Sequence, residues 1–174
     1  ATRLDAQGRP TPLIAETGGL NAMIVDATAL PEQVADDVVM SAFRSAGQRC
    51  SALRIVYLQE DVADGMLKMI EGAAREMHLG NPALETTDIG PIIDREQQTM
   101  LNDYVEQMKG KAKVTKVGVT PEGELQAGHF FAPHIIELKD ASELTREVFG
   151  PVLHVVRWKA SELDNVLDQV ANSG

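Results

Sequence analysis

Short apolar runs alternate with longer amphipathic segments along most of this 174-residue sequence. The runs have the length of buried strands, and the segments between them repeat their apolar residues at helical spacing. We predict strands over residues 11–15, 21–25, 54–58, 114–119, 133–138 and 152–158, and helices over 31–45, 62–77, 95–109 and 161–171. Because strands that alternate with helices pair through crossover connections, this order predicts an open, twisted α/β sheet with flanking helices.

The composition excludes several classes of protein. Hydrophobic residues make up 44% of the sequence and charged residues 24%, which is the balance of a globular domain with a core. A formal net charge of −10 argues against binding nucleic acid through a general basic surface. No apolar run has the length of a membrane span, no signal peptide opens the sequence, and a single cysteine rules out an internal disulfide. We therefore expect a cytoplasmic protein.

Two further kinds of site lack support in the sequence. The four histidines are scattered without the spacing of metal ligands, so we predict no metal site. Neither a glycine-rich dinucleotide fingerprint nor a P-loop occurs, which indicates that this sequence has no complete nucleotide-binding motif of its own.

The only cysteine, Cys50, follows a segment that favours a sharp turn. Gly47 and Gln48 stand just before it, and a nucleophile at such a turn can be exposed with backbone N–H groups directed at a developing oxyanion. Arg49 places a positive charge beside the thiol, which favours the nucleophilic thiolate. Cys50 is therefore a candidate nucleophile. The alternative is a small buried residue, the commoner role of an isolated cysteine.

Three segments together resemble the aldehyde dehydrogenase superfamily. Residues 16–19 are similar to its Glu-Leu-Gly-Gly turn with Thr17 in place of leucine, residues 47–50 to its Gly-Gln-x-Cys motif, and residues 147–151 to its Glu-x-Phe-Gly-Pro motif. The 34 residues from Glu16 to Cys50 and the 97 from Cys50 to Glu147 also resemble the family's spacing. Within the superfamily, residues 14–26, 45–54, 58–64 and 147–156 are most similar to L-glutamate γ-semialdehyde dehydrogenases, including the aldehyde-oxidising half of bacterial proline utilisation A.

The resemblance implies a catalytic role for Glu16 and cofactor roles for four other residues. Glu16 would act as the general base that hydrolyses a thioester on the cysteine. Glu147 would bind the nicotinamide ribose of NAD, Phe149 would position the nicotinamide, and Thr17 and Gly18 would lie beside the cofactor. The alternatives are a turn-capping Glu16, a solvated Glu147 and a core Phe149.

Arg49 and Ser51 are candidate substrate-binding residues. The semialdehyde carries an α-carboxylate, which a cation and a hydroxyl beside the nucleophile could hold. The alternatives are a solvated surface arginine and a simple turn serine.

The resemblance also implies parts that lie outside residues 1–174. These are the Rossmann segment that binds NAD, an oxyanion-stabilising asparagine and a substrate-anchoring loop. We expect a fragment of the catalytic domain that is inactive alone, taken from a homo-oligomeric parent that is cytoplasmic or peripheral to the inner membrane. In a proline utilisation A parent, a second half would carry proline dehydrogenase activity with FAD. Oxidation of another aldehyde, or a non-catalytic binding or assembly module, remain the alternatives.

Overall fold

The computed structural model describes residues 3–10 and 18–173. Its strands are β1 (Ala22–Val25), β2 (Ile55–Gln59), β3 (Lys113–Lys116), β4 (His134–Leu138) and β5 (Val152–Trp158). Its α-helices are α1 (Pro31–Phe43), α2 (Glu60–Arg75), α3 (Arg95–Lys109) and α4 (Leu163–Ala171). The strand predicted over residues 11–15 lies outside the described residues.

The five strands form one sheet in the order β1-β2-β5-β4-β3. The first four are parallel, and β3 pairs antiparallel with β4 at the edge. All five residues of β2 are buried, as expected for a central parallel strand that is covered on both faces. The predicted α/β sheet with flanking helices is therefore confirmed.

Pro133 explains why the strand predicted over 114–119 ends earlier, at Lys116, and why the strand predicted over 133–138 begins later, at His134. The Val117 N–H donates to the Pro133 carbonyl at 2.9 Å, but proline has no N–H to donate in return. The ladder therefore ends at Lys116 on one strand and begins at His134 on the other. Two helices also differ from their predicted bounds. Helix α2, predicted over 62–77, begins at Glu60 directly after β2 and ends at Arg75. Helix α4, predicted from residue 161, begins at Leu163 because a separate turn occupies residues 160–162.

The apolar face predicted for α1 is buried. Pro31 occupies the first turn, where its missing N–H costs nothing and its fixed φ suits the helix. Helix α1 packs against α2, whose apolar stripe is buried in the same core. The buried residues of the two helices are Val34, Ala35, Val38, Val39, Ala42, Phe43, Ala63, Met66, Leu67, Ile70 and Ala74. Full burial of each large aliphatic side chain contributes about 1.5–3 kcal/mol, so this contact is a main support of the fold.

The topology brings the three motif segments to one edge of the sheet. Residues 18–21, 47–54 and 147–151 directly precede β1, β2 and β5, which are neighbouring parallel strands. The amino ends of parallel neighbours lie side by side, so these segments meet there, at what we call the amino edge.

Candidate active site

The backbone before Cys50 makes a left-handed turn. Ser45 and Ala46 have φ of 54° and Gly47 has φ of 62°. A left-handed conformation costs roughly 1–2 kcal/mol for a residue with a Cβ, so the two non-glycine residues must be held by their surroundings. A Cβ on Gly47 would lie 2.1 Å from the Gly150 carbonyl oxygen. Glycine at this position therefore lets the cysteine segment pack directly on the segment before β5, and the predicted sharp turn is confirmed.

Cys50 lies on the exposed part of the following loop, which contradicts its interpretation as a small buried residue. The loop (residues 47–53) is closed by a hydrogen bond from the Ala52 N–H to the Arg49 carbonyl at 3.1 Å. The amide Nδ2 of Asn21 donates to the Cys50 carbonyl at 2.6 Å and to the Ala52 carbonyl at 3.0 Å. The thiol thus sits on a loop whose backbone is fixed from the β1 side.

Gln48 of the same loop binds backbone on another segment. Its Nε2 donates to the Pro91 carbonyl at 3.2 Å, and its Oε1 accepts the Ile93 N–H at 2.9 Å. These bonds join the cysteine loop to the residues that lead into α3.

Arg54, between the loop and β2, is the residue that the sequence interpretation missed. We predicted it as the first residue of a strand, whereas it precedes β2 and its side chain is wholly buried. Its five N–H groups make five hydrogen bonds. Nε and Nη2 donate to Glu147 Oε1 at 2.9 and 2.7 Å, Nη1 donates to the Gly47 and Gly150 carbonyls at 2.7 and 3.3 Å, and Nη2 also donates to the Arg49 carbonyl at 3.0 Å. A charged residue directly before an apolar strand was the signal that could have identified it.

Glu147 and Phe149 lie around this guanidinium. The Glu147 side chain is 16% exposed, and its Oε2 accepts the Gly19 N–H at 3.3 Å. Phe149 is 36% exposed, with the Arg54 guanidinium carbon 5.0 Å from its ring centroid, a cation–π arrangement. Glu147 is therefore not simply solvated, and Phe149 is not a core residue. A Cβ on Gly18 would lie 3.0 Å from Glu147 Oε2, so Gly18 lies close beside the carboxylate.

A buried histidine supports Arg54 from the next strand. His154 is wholly buried, and desolvation lowers its pKa to about 4, so the ring is neutral near pH 7. Its Nδ1 lies 2.9 Å from the Arg54 carbonyl, which can only accept, so Nδ1 carries the proton. Nε2 must then accept from the Tyr104 hydroxyl at 2.7 Å. Burial raises the pKa of Tyr104 to about 12, so this hydroxyl keeps its proton.

Two of the surface depressions that adjoin the motif segments lie beside the candidate site residues Gly18, Arg49 and Glu147. One, of about 350 Å³, is lined by Gly18, Gly19, Leu20, Thr145, Arg146, Glu147 and Ser173. The other, of about 300 Å³, is lined by Arg44, Ser45, Arg49, Glu85, Thr87 and Asp88. Neither Cys50 nor Ser51 is among the described residues that line the second depression. Arg49 and Ser51 flank the thiol, but this structure does not bring them into one pocket.

Glu16 and Thr17 lie outside the described residues. Within residues 3–10 and 18–173, no group of three or more histidine, cysteine or acidic side chains could hold a metal ion. No helix in that part of the chain is both long and apolar enough to cross a membrane.

Comparison with known proteins agrees with the three motifs. Residues 2–173 match the model of the aldehyde dehydrogenase family. The chain is 53% identical over its whole length to the bifunctional protein PutA of Escherichia coli K12 and covers 14% of that protein. It is 35% identical, over 92% of its length, to the 1-pyrroline-5-carboxylate dehydrogenase of Anoxybacillus flavithermus and covers 30% of it.

Solved structures show the same fold. A variant of Bradyrhizobium japonicum proline utilization A superposes with a TM-score of 0.89 at 55% identity, over 97% of this chain and 17% of that one. The 1-pyrroline-5-carboxylate dehydrogenase from Thermus, solved with bound NAD, gives 0.77 at 35% identity, over 90% and 30%. The chain thus spans a small part of the relatives that it matches. It belongs to the aldehyde dehydrogenase family.

Proposed function

We propose that this chain supplies the thiol-bearing part of the active site of an NAD-dependent enzyme that oxidises L-glutamate γ-semialdehyde to L-glutamate. One observation carries the proposal: the exposed Cys50 lies on a fixed loop that packs directly on the segment bearing Glu147 and Phe149. The relatives named 1-pyrroline-5-carboxylate dehydrogenase support this choice of aldehyde.

The chemistry follows from the residue types. The Cys50 thiolate adds to the aldehyde carbon and forms the oxyanion of a hemithioacetal, and the oxyanion re-forms a C=O bond as hydride leaves the same carbon, which gives a thioester. The chemistry that bound NAD⁺ would supply is acceptance of that hydride. Glu16 takes a proton from water, whose oxygen attacks the thioester carbon, and the C–S bond breaks to release the acid and restore the thiolate.

The described residues fit the nicotinamide end of the cofactor. Oε1 of Glu147 accepts from two N–H groups of Arg54, whereas Oε2 accepts the longer 3.3 Å bond from Gly19, and Glu147 lines a surface depression. A carboxylate oxygen accepts more than one hydrogen bond, so Oε2 can accept from a ribose hydroxyl. Phe149 keeps an exposed ring surface for the nicotinamide, and Gly18 leaves room beside the carboxylate.

The choice of substrate rests on Arg49 and Ser51. Both flank Cys50 on the exposed loop, so either could reach the α-carboxylate of a semialdehyde that is bound at the thiol. Uncharged aldehydes lack this group and gain nothing from the arginine.

The whole protein contains more than this chain. The NAD pyrophosphate and adenosine would bind a Rossmann segment outside these residues, so the chain alone would bind NAD weakly and oxidise no aldehyde. A proline utilisation A parent would add a proline dehydrogenase half with FAD, and would form a homo-oligomer in the cytoplasm or on the inner membrane.

The decisive experiment replaces the nucleophile in the full-length protein. Cys50→Ala should lower NADH formation by several orders of magnitude while leaving the fold intact, because the covalent step is lost. A substrate panel should give a higher kcat/KM for glutamate semialdehyde than for uncharged aldehydes, and Arg49→Met should reduce that preference. Turnover by the alanine variant at the wild-type rate would contradict the proposal.

A second experiment separates the two half-reactions. Glu16→Gln should still acylate Cys50 but hydrolyse the thioester slowly, which gives a burst of NADH and an acyl adduct. Rapid-quench mass spectrometry detects the adduct. Absence of both burst and adduct would show that Glu16 does not act as the hydrolytic base.

A further inference from the structure

We infer that Arg54 is a positioning residue that holds the nucleophile loop and the cofactor-binding carboxylate as one rigid unit, and the inference rests on the proposed function. Arg54 is the described side chain that contacts both groups. It binds the Gly47 and Arg49 carbonyls on either side of the Gln48 position, and it binds Glu147 Oε1 through two N–H groups.

The geometry assigns a separate task to each Glu147 oxygen. Two N–H groups of Arg54 hold Oε1 in place, which fixes the carboxylate plane. Oε2 accepts the Gly19 N–H, and Glu147 lines the same depression as Gly18 and Gly19. Without Arg54, the carboxylate would be free to rotate, and the oxygen that we assign to the ribose would lose its fixed position.

The same guanidinium orders the other cofactor contact. It lies over the Phe149 ring and donates to the Gly150 carbonyl next along the chain. Phe149 is therefore held by the guanidinium while 36% of its surface stays exposed. Arg54 thus sets the positions of both residues that we assign to the nicotinamide end.

Lysine cannot replace this arginine. A guanidinium offers five donors in a planar fork, and all five are used here, whereas an ammonium offers three donors from one point. Arg54→Lys keeps the charge but cannot make all five hydrogen bonds. The result should be a change in geometry without a change in net charge.

The test compares Arg54→Lys with Arg157→Lys in the full-length protein. Arg157 is also an arginine with two carboxylate partners, Asp64 and Glu137, but it is 36% exposed and lies in β5 away from the motif segments. For Arg54→Lys we expect KM for NAD to rise about tenfold and kcat to fall about tenfold, with KM for the semialdehyde within about twofold of wild type. Arg157→Lys should stay within about twofold in all three constants.

A double-mutant cycle tests the route through Glu147. If Arg54 acts on NAD binding by orienting Glu147, then Arg54→Lys in a Glu147→Gln background should raise KM for NAD by less than about threefold. Full additivity, or an Arg54→Lys variant with the kinetic constants of Arg157→Lys, would overturn the inference. Should Arg54→Lys fail to fold, Tyr104→Phe provides the test instead, because the Tyr104 hydroxyl donates to His154, which in turn donates to the Arg54 carbonyl. A rise of twofold or more in KM for NAD supports the inference, and an unchanged value overturns it.

Amide hydrogen exchange keeps this test distinct from the proposed function. In the 174-residue chain, Arg54→Lys should speed exchange by about tenfold or more in both 47–53 and 147–151, and Arg157→Lys should speed it in neither. If exchange becomes faster in both segments but the full-length protein oxidises no aldehyde, the proposed function is rejected and the role of Arg54 as a support is not. Exchange that changes in only one of the two segments would reject the role of Arg54 as their common support.

Discussion

The two ends of the central parallel strands are built differently. At the amino edge lie a buried arginine, a neutral buried histidine, a left-handed turn and an exposed thiol. At the opposite edge, the buried polar groups that close the strand ends, Gln59 and Trp158, are neutral, and the charged side chains around them are partly or fully exposed. Gln59 accepts the Ala27 N–H at 3.0 Å and donates to Asp61, and the Trp158 indole N–H donates to the Val25 carbonyl at 3.3 Å.

The difference supports our proposal that the active site lies at the amino edge. A buried charge and left-handed non-glycine residues cost free energy, and a fold retains such features where they hold a particular geometry. In many open α/β sheets, ligands bind beyond the carboxyl ends of the strands. Here the three motif segments lie beyond the amino ends of β1, β2 and β5.

The largest expected effect compares two arginines. Arg54→Met should reduce the free energy of unfolding by about 3–5 kcal/mol, because it leaves the Glu147 carboxylate without its buried partner. Arg157→Met should cost less than about 1 kcal/mol, since its ion pairs are partly solvated. Urea denaturation of both variants provides the measurement. Equal costs would mean that the two edges are not energetically different in this respect.

The next effect is a dependence of stability on pH. Burial lowers the pKa of His154 to about 4 from an ordinary value of about 6.5, so between these values the unfolded chain binds a proton that the folded chain excludes. Stability should therefore fall by about 3 kcal/mol as the pH drops from about 6.5 to about 4. Gln59 and Trp158 at the opposite edge do not titrate in this range.

A variant isolates that contribution from other acidic groups. His154→Asn keeps a donor near the Arg54 carbonyl but cannot be protonated, so its stability curve should be flatter than that of wild type over the same pH range. His134, whose pKa is also lowered by burial, remains in both proteins. Parallel curves for the two proteins would show that His154 does not titrate as we expect.

The smallest effect distinguishes two glycines. Gly47→Ala should cost at least about 2 kcal/mol, because alanine is disfavoured at positive φ and its Cβ would collide with the Gly150 carbonyl. Gly65→Ala, in the middle of α2 with no atom within 4 Å of the added Cβ, should instead stabilise by about 0.5–1 kcal/mol. Thermal unfolding of both variants tests the difference in sign. A neutral Gly47→Ala would show that the turn adapts easily.

Several features of the fold could be predicted because they depend on local patterns. The apolar periodicity predicted helices over 31–45 and 95–109, and α1 ends two residues earlier, at Phe43, whereas α3 and the strand predicted at 152–158 have the predicted bounds. The end of β3 and the start of β4 could not be predicted, because they depend on Pro133 lying opposite Val117 across the sheet. The candidate site was predictable as far as its motif residues, and the roles assigned to those residues stay predictions.

The sequence by itself determined that a turn precedes Cys50, that apolar strands alternate with amphipathic helices, and that three segments carry family motifs. Only the tertiary structure decided that Arg54 links these segments, because its partner Glu147 is 93 residues away in the chain. The same holds for the Gly19 contact with Glu147, which spans 128 residues. Local patterns follow from the conformational preferences of neighbouring residues, whereas these contacts exist because β1, β2 and β5 pair side by side and bring their amino ends together.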